Sequence, residues 1–435
     1  MTSPVAPSAQ APLRLGLAEN WRQFSLLAIV NLFVGGMVGL ERTVIPLVGA
    51  EQFHLNELAV SMFVVAFGVA KAITNLVGGA VTGRHTRKAI LVTGWLIGAP
   101  VPFMLAYGPS WAWVVAANLL LGVNQGLTWS MTVNMKIDLI GPARRGLALG
   151  INETAGYLGV AVTALATGYL ATAHGLRPAP ELLGVAYVAA GLLLSIFLIR
   201  DTAAHAELEK RGHARPDRAW SWREVAALVT WRDRTLAGAT QAGLINNFND
   251  GLVWVVLPVL LLQHGVGLAN IGLIKALYPF MWAVGMIATG HLADIIGRKK
   301  PIVAGMLVQA AGLACIVAGL SHPLLAGLIG AFLLGAGTAL VYPALLAAIT
   351  DAAHPSWRPN ALGVYRFWRD LGYALGALVG GVVAVLASLA AAIGVAAALT
   401  ALSGVAAAAL IRFTPEDAPA AGRVPEGQLP LDRDS

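Results

Sequence analysis

Residues 290–299 read Gly290-His-Leu-Ala-Asp294-Ile-Ile-Gly297-Arg298-Lys299. An apolar run ends on a carboxylate, a glycine follows, and two cations precede the next apolar run. A carboxylate between two helices meets exposed amides and the positive end of the second helix. Arg298 and Lys299 stay with a charged membrane surface, which makes this a short loop between two spans.

A degenerate copy lies 211 positions earlier, as Gly79-Ala-Val-Thr-Gly83-Arg84-His-Thr86-Arg87-Lys88. Glycine stands in place of the acid there, and Thr86 in place of the second glycine. The repetition extends further. At an offset of 213, Gly122, Asp138, Pro142, Arg145, Ala148, Leu149 and Gly150 match Gly335, Asp351, Pro355, Arg358, Ala361, Leu362 and Gly363. At 212, Gly39-Leu40 and Pro46 match Gly251-Leu252 and Pro258. Three blocks at nearly constant offset predict two homologous helical bundles in the same orientation, with alternating access around a site between them.

Composition places those bundles in a membrane. Of 435 residues, 57% are hydrophobic and 12% charged, against roughly 25% charged in a soluble domain. The long unbroken apolar runs exclude the alternating segments of about 10 residues that a membrane β-barrel needs. Twelve spans, at about 30 residues each with a turn, fill the chain outside its polar ends and centre. They are expected near 24–48, 58–82, 89–107, 111–138, 146–171, 182–199, 236–262, 268–293, 301–319, 323–350, 360–386 and 390–412. Arg84, Arg87, Lys88, Arg144, Arg145, Arg298, Lys299, Lys300 and Arg358 fall in alternate loops, while the other loops carry only Arg177. This asymmetry puts both termini in the cytoplasm and the chain in the cytoplasmic (inner) membrane as a multi-pass protein. The net charge of +7 is thereby used for topology, and no nucleic-acid partner is expected.

The expected organisation is a disordered cytoplasmic N-terminus (1–20), a six-helix bundle (21–199), a cytoplasmic linker (200–235), a second bundle (236–412) and a disordered tail (413–435). In the linker, Ser221-Trp222-Arg223-Glu224 has capping-box spacing and leads a short interfacial helix. The single cysteine, Cys315, permits no intramolecular disulfide. The nine histidines lack paired ligand spacing, so no metal site is expected. There is no ATPase-type phosphate loop, no cofactor motif and no catalytic constellation. The reading is of a non-enzyme, a functional monomer in the lipid bilayer.

The 290–299 loop, the twelve expected spans and the parallel repeat resemble the major facilitator superfamily (MFS) over residues ~20–412. The resemblance implies an all-α fold of two pseudo-symmetric six-helix bundles, with spans one, four, seven and ten lining a central cavity and spans two and eleven packed together between the halves. It marks Gly79, Arg84, Arg87, Lys88, Gly290, Asp294, Gly297, Arg298 and Lys299 as cytoplasmic signature-loop residues. Asn118 stands where many members carry an arginine, and the fifth span lacks the Gly-Pro pair of many antiporters of this superfamily.

A charge at mid-bilayer costs at least about 2.5–3.5 kcal/mol on insertion scales and needs a reason. Asp250, about 21 Å along the seventh span, is a candidate proton carrier. So is Glu153, the repeat mate of Arg366 and without an evident basic partner. Lys71 and Asp370 are expected to approach each other between the halves, either as an ion pair or as substrate contacts. Asp370 also lies four residues after Arg366, while Arg369 lacks a local partner. Glu41, Arg42 and Lys275 are expected at a gate or at the periplasmic surface. The substrate-cavity candidates are Asn31, Asn124, Gln125, Trp129, Gln241, Asn246, Asn247, Tyr342, Arg366 and Arg369, of which Trp129 and Tyr342 are repeat mates. Gly372, Gly376 and Gly380 form a stripe suited to close helix packing.

Three readings follow. The first is proton-coupled efflux of a small organic solute through Asp250 or Glu153. The second is symport or facilitated diffusion of an organic anion, with Lys71, Arg366 or Arg369 as counter-charge. The third is a non-transporting membrane sensor with the same fold.

Overall fold

The computed structural model describes residues 15–81, 85–141, 145–210, 220–353 and 357–412, and among them every regular element is helical. In chain order the helices are α1 (Leu17–Thr43), α2 (Glu57–Val81), α3 (Arg87–Gly98, resumed past Pro100 as Val101–Tyr107), α4 (Trp111–Ile140), α5 (Arg145–His174) and α6 (Ala179–Leu193). Two short linker helices follow, α7 (Ala203–Lys210) and α8 (Trp222–Ala227). The second half holds α9 (Arg234–Gln263), α10 (Leu268–Ile296), α11 (Lys299–Ala318), α12 (Pro323–Ala352), α13 (Arg358–Leu386) and α14 (Leu389–Leu410).

Eleven helical stretches among the described residues are long and apolar enough to cross a membrane. The remaining expected span is α4, 30 residues long. Asn118, Asn124, Gln125, Thr128 and Lys136 are buried along it, and these polar groups lower its apolarity. Helix starts follow local chemistry. Ser221 and Glu224 form the expected capping box of α8, Asp233 caps α9 and Ser388 caps α14.

The repeat in the sequence is a repeat in packing. Helix α1 packs on α5 and α2 on α4, while α9 packs on α13 and α10 on α12. Between the halves, α2 runs along α13 and α5 along α10. The glycine stripe explains the α9–α13 approach: a β-carbon at Gly376 would lie 2.0 Å from the Phe248 carbonyl oxygen, and one at Gly372 2.3 Å from that of Leu244. Gly16 binds Leu139 (2.9 Å), Gln23 binds Leu198 (2.9 Å) and Thr235 binds Arg412 (3.2 Å), which defines a linker face. Arg177, Gln52 and Gly108 meet on the opposite face.

The signature loops close symmetrically on the linker face. Arg87 bonds Asp138 at 3.1 Å, and its repeat mate Arg298 bonds Asp351 at 3.0 Å. Gly297 has φ +83, a conformation that favours glycine. Thr86, its counterpart, is extended and instead caps α3 by accepting from the Ala89 amide. The loss of the glycine in the first copy is therefore a change of turn type. Gly79 lies in α2, Gly290 in α10, Lys88 in α3 and Lys299 opens α11. Asp294 lies in the last turn of α10, its side chain outside the described part; Arg84 lies outside the described residues.

Candidate functional site

A cavity lies between the halves at the middle of the bundle. From the first half it is lined by Lys71, Asn75, Trp129, Ser130, Val133 and Glu153, and from the second by Tyr342, Arg366, Arg369 and Asp370. The halves touch from this level toward the opposite face. There, a β-carbon at Gly68 would lie 2.6 Å from the Ala374 amide, one at Gly168 2.7 Å from Gly272 Cα, and one at Gly381 2.9 Å from Leu58 Cα. The halves are in close contact on the opposite face.

Glu153 joins the two halves. Its Oε1 accepts from Trp129 Nε1 at 2.7 Å, and its Oε2 from the Tyr342 hydroxyl at 3.2 Å. The repeat mates Trp129 and Tyr342 thus share one carboxylate, and Glu153 is not an isolated acid. Arg369 donates to the hydroxyls of Tyr342 and Tyr157, each at 3.2 Å, and its guanidinium carbon lies 4.5 Å from the Tyr342 ring centroid. Tyr157 in turn stacks on Trp282.

Lys71 and Asp370 both line the cavity, but no ion pair joins them. Asp370 accepts from Asn75, while the Lys71 ammonium lies 5.3–5.5 Å from the ring centroids of Phe67, Trp129 and Tyr373. Arg366 lines the cavity without forming a salt bridge to Asp370. Three cations and two acids therefore surround the space.

Asp250 lies elsewhere. It is buried in a two-pronged bond with Arg42, Nη1 on Oδ1 and Nη2 on Oδ2 (the latter 3.0 Å), joining α1 of the first half to α9 of the second. The Arg42 guanidinium sits 4.2 Å from the Trp254 ring centroid, and Trp254 Nε1 donates to the Glu41 carbonyl at 3.2 Å. A desolvated cation–ring contact contributes about 2 kcal/mol. Lys275, expected near the surface, is buried and donates to the Val253 carbonyl at 2.9 Å. Below this bond Trp111, Phe63, Trp254, Phe67 and Tyr373 form a continuous series of edge contacts. Together these groups close the opposite face.

Of the other cavity candidates, Trp129, Tyr342, Arg366 and Arg369 line the space; six amides do not. Asn31 bonds the Asn152 carbonyl at 2.7 Å, Asn124 that of Gly94 at 2.8 Å and Gln125 that of Val34 at 2.9 Å. Gln241 bonds Ser403 through both side chain and backbone, and Gln309 links Asn246 to Asn249. Asn247 accepts from Asn246 at 3.3 Å. These amides knit neighbouring helices within each half. Two groups escaped the sequence reading. Lys136 is fully buried and donates to Asn152 Oδ1 at 2.7 Å. Asn75 holds Asp370. Lys136 was discoverable as one more charge inside a span; nothing in the sequence singles out Asn75.

Two repeated helical bundles, packed across a polar cavity with one end sealed, define a multi-pass membrane transporter. The chain belongs to the Major Facilitator Superfamily, whose description matches residues 27–243 and again 239–433. An uncharacterized MFS-type transporter of Salmonella typhimurium is 23% identical over 360 residues, covering 80% of this chain and 85% of that one. The multidrug resistance protein MdtG of Enterobacter lignolyticus is 24% identical over 393 residues, covering 87% and 88%. In structure, the nucleoside transporter NupG superposes with a TM-score of 0.70 at 13% identity, covering 90% of this chain and all of that one. That likeness is one of fold.

Proposed function

We propose that the protein is a secondary transporter of small organic anions, working by alternating access in the inner membrane. One observation carries this reading: the Lys71 ammonium reaches the cavity with aromatic rings around it and no acceptor among the described residues. Both oxygens of Glu153 and one of Asp370 already accept protein hydrogen bonds. Lys71, with Arg366 and Arg369, is left to meet an anionic group, and Trp129 and Tyr342 supply flat walls for its organic part.

Alternating access follows from the seal between the halves on the opposite face. Substrate enters from the linker face, the halves rock, and the Arg42–Asp250 bond parts as the opposite face opens. The positive loops on the linker face support a cytoplasmic assignment for it. The relative named as a multidrug resistance protein supports export. Protons are the proposed driving ion, and the monomer the working unit.

The test is uptake of matched anionic, neutral and cationic solutes into proteoliposomes under an imposed pH gradient. The expected result is gradient-driven accumulation of anions, with Lys71→Gln and Arg369→Gln each losing anion transport at least tenfold. Preferential movement of cations, unaffected by Lys71→Gln, overturns the reading.

A further inference from the structure

Glu41 is fully buried in α1, outside the cavity lining. Its Oε1 accepts from Asn118 Nδ2 at 3.2 Å, and the second proton of that amide goes to the Val114 carbonyl at 3.0 Å. Glu41 Oε2 and Asn118 Oδ1 are both buried and have no partner. A carboxyl and a carboxamide that already share one hydrogen bond thus each keep one buried acceptor without a donor. A carboxylic acid and a primary amide pair through two bonds, N–H to carbonyl and O–H to carbonyl. One proton on Oε2 supplies the missing donor, and a buried acceptor left unsatisfied is destabilising.

The surroundings favour the same occupant. Gly184 of α6 meets the Leu40 side chain, so the first turn of α6 packs beside Glu41. That turn carries Glu181, fully buried with both carboxylate oxygens unpartnered. Arg177, before α6, places its Nε on Gln52 and its Nη1 on the Leu105 and Gly108 carbonyls. Tyr187 of α6 bonds Thr163. Lys275 of α10 bonds Val253, and Asp250 of α9 holds Arg42. Arg42, the residue next to Glu41, has a donor to spare, since its buried Nε has no partner.

We propose that Glu41 and Asn118 form a proton-binding site within the first bundle, and that its occupancy holds the Arg42–Asp250 bond between the halves. With the proton bound, Glu41 is neutral and Arg42 belongs to Asp250 alone. Release of the proton places a second carboxylate beside Arg42, which weakens its hold on Asp250 and frees the opposite face to open. The site deepens the transport reading by separating the proton from the substrate cavity.

The test uses full-length protein in liposomes without substrate. Spin labels are attached at Glu57→Cys and Leu386→Cys in a Cys315→Ser background, and the distance between them is followed against pH. The short-distance population is expected to dominate in acid and fall at least fivefold in alkali. Glu41→Gln holds it short throughout, and Asp250→Asn loses it throughout. Infrared difference spectra should show a protonated carboxyl band that disappears in alkali and is absent in Glu41→Gln, yet kept in Glu153→Gln. If Glu41→Gln fails to fold, Asn118→Ser replaces it and should displace the pH midpoint. A wild-type pH profile in Glu41→Gln or in Asn118→Ser overturns the proposal, as does a response to sodium at fixed pH. Because no solute is present, failure here leaves the anion reading untouched, and failure of the anion panel leaves this site untouched.

Discussion

Trp129 and Tyr342 stand at equivalent places in the two halves and donate to opposite oxygens of one carboxylate, Glu153. The internal symmetry of the chain thus converges on an asymmetric point. The position matching Glu153 in the second half is Arg366, so one half supplies the acid and the other a base.

Glu153→Gln should uncouple this point. A glutamine offers one acceptor oxygen where Trp129, Asn152 and Tyr342 now donate to two. A hydrogen bond to a charged group contributes about 1.5–3 kcal/mol, so transport should fall at least tenfold. Initial rates in proteoliposomes, with binding measured separately in detergent, provide the check.

The Arg42–Asp250 bond is buried on both sides. Arg42→Ala or Asp250→Ala alone strands a buried charge and should destabilise the closed form by about 3–5 kcal/mol. The double substitution should cost clearly less than the sum, because neither charge is then left alone. Chemical unfolding of the four proteins in detergent measures that difference.

Gly376→Ala should be far more damaging than Gly363→Ala, although both sit in α13. The first places a methyl 2.0 Å from a carbonyl oxygen, and the second meets nothing within 4 Å. Forced overpacking costs typically about 1–3 kcal/mol, while alanine at the open site should be neutral or slightly stabilising through helix propensity. Thermal unfolding midpoints of the two variants should separate by several degrees.

His205, in the linker helix α7, gives a pH dependence outside the membrane. Burial holds its imidazole below the ordinary histidine range, partly opposed by the nearby Asp138 carboxylate, and its Nδ1 is buried without a partner. The undocked helix therefore takes up a proton more readily than the docked one. Docking should be fully kept above about pH 6.5, the free histidine value, and weaken as pH falls through it. Protection from hydrogen exchange across 203–208, relative to the intrinsic rate at each pH, should fall in acid, and His205→Gln should abolish that acid response.

Much of the fold is legible because its signals are local or repeated. Apolar runs, capping residues such as Ser221 and Glu224, and cations in alternate loops each act over a few residues. The offset between Arg87 and Arg298 is visible in the letters, and the two pairs Arg87–Asp138 and Arg298–Asp351 follow it. Lys71, Glu153, Arg366, Arg369 and Asp370 stand out for the same kind of reason, since a charge inside a span is costly wherever it points.

The sequence by itself determined that this chain is a membrane-embedded pair of repeated helical bundles with charges between them. Only the tertiary structure decided which polar side chain faces which partner. Successive helix positions turn by about 100°, so a small rotation or tilt decides whether an amide such as Asn31, Asn124 or Gln241 reaches a neighbouring backbone or the cavity. Arg42 and Asp250 are 208 positions apart, and no local pattern pairs them. Their bond exists because the two bundles meet on one face, and packing across that interface, not helix periodicity, chose it.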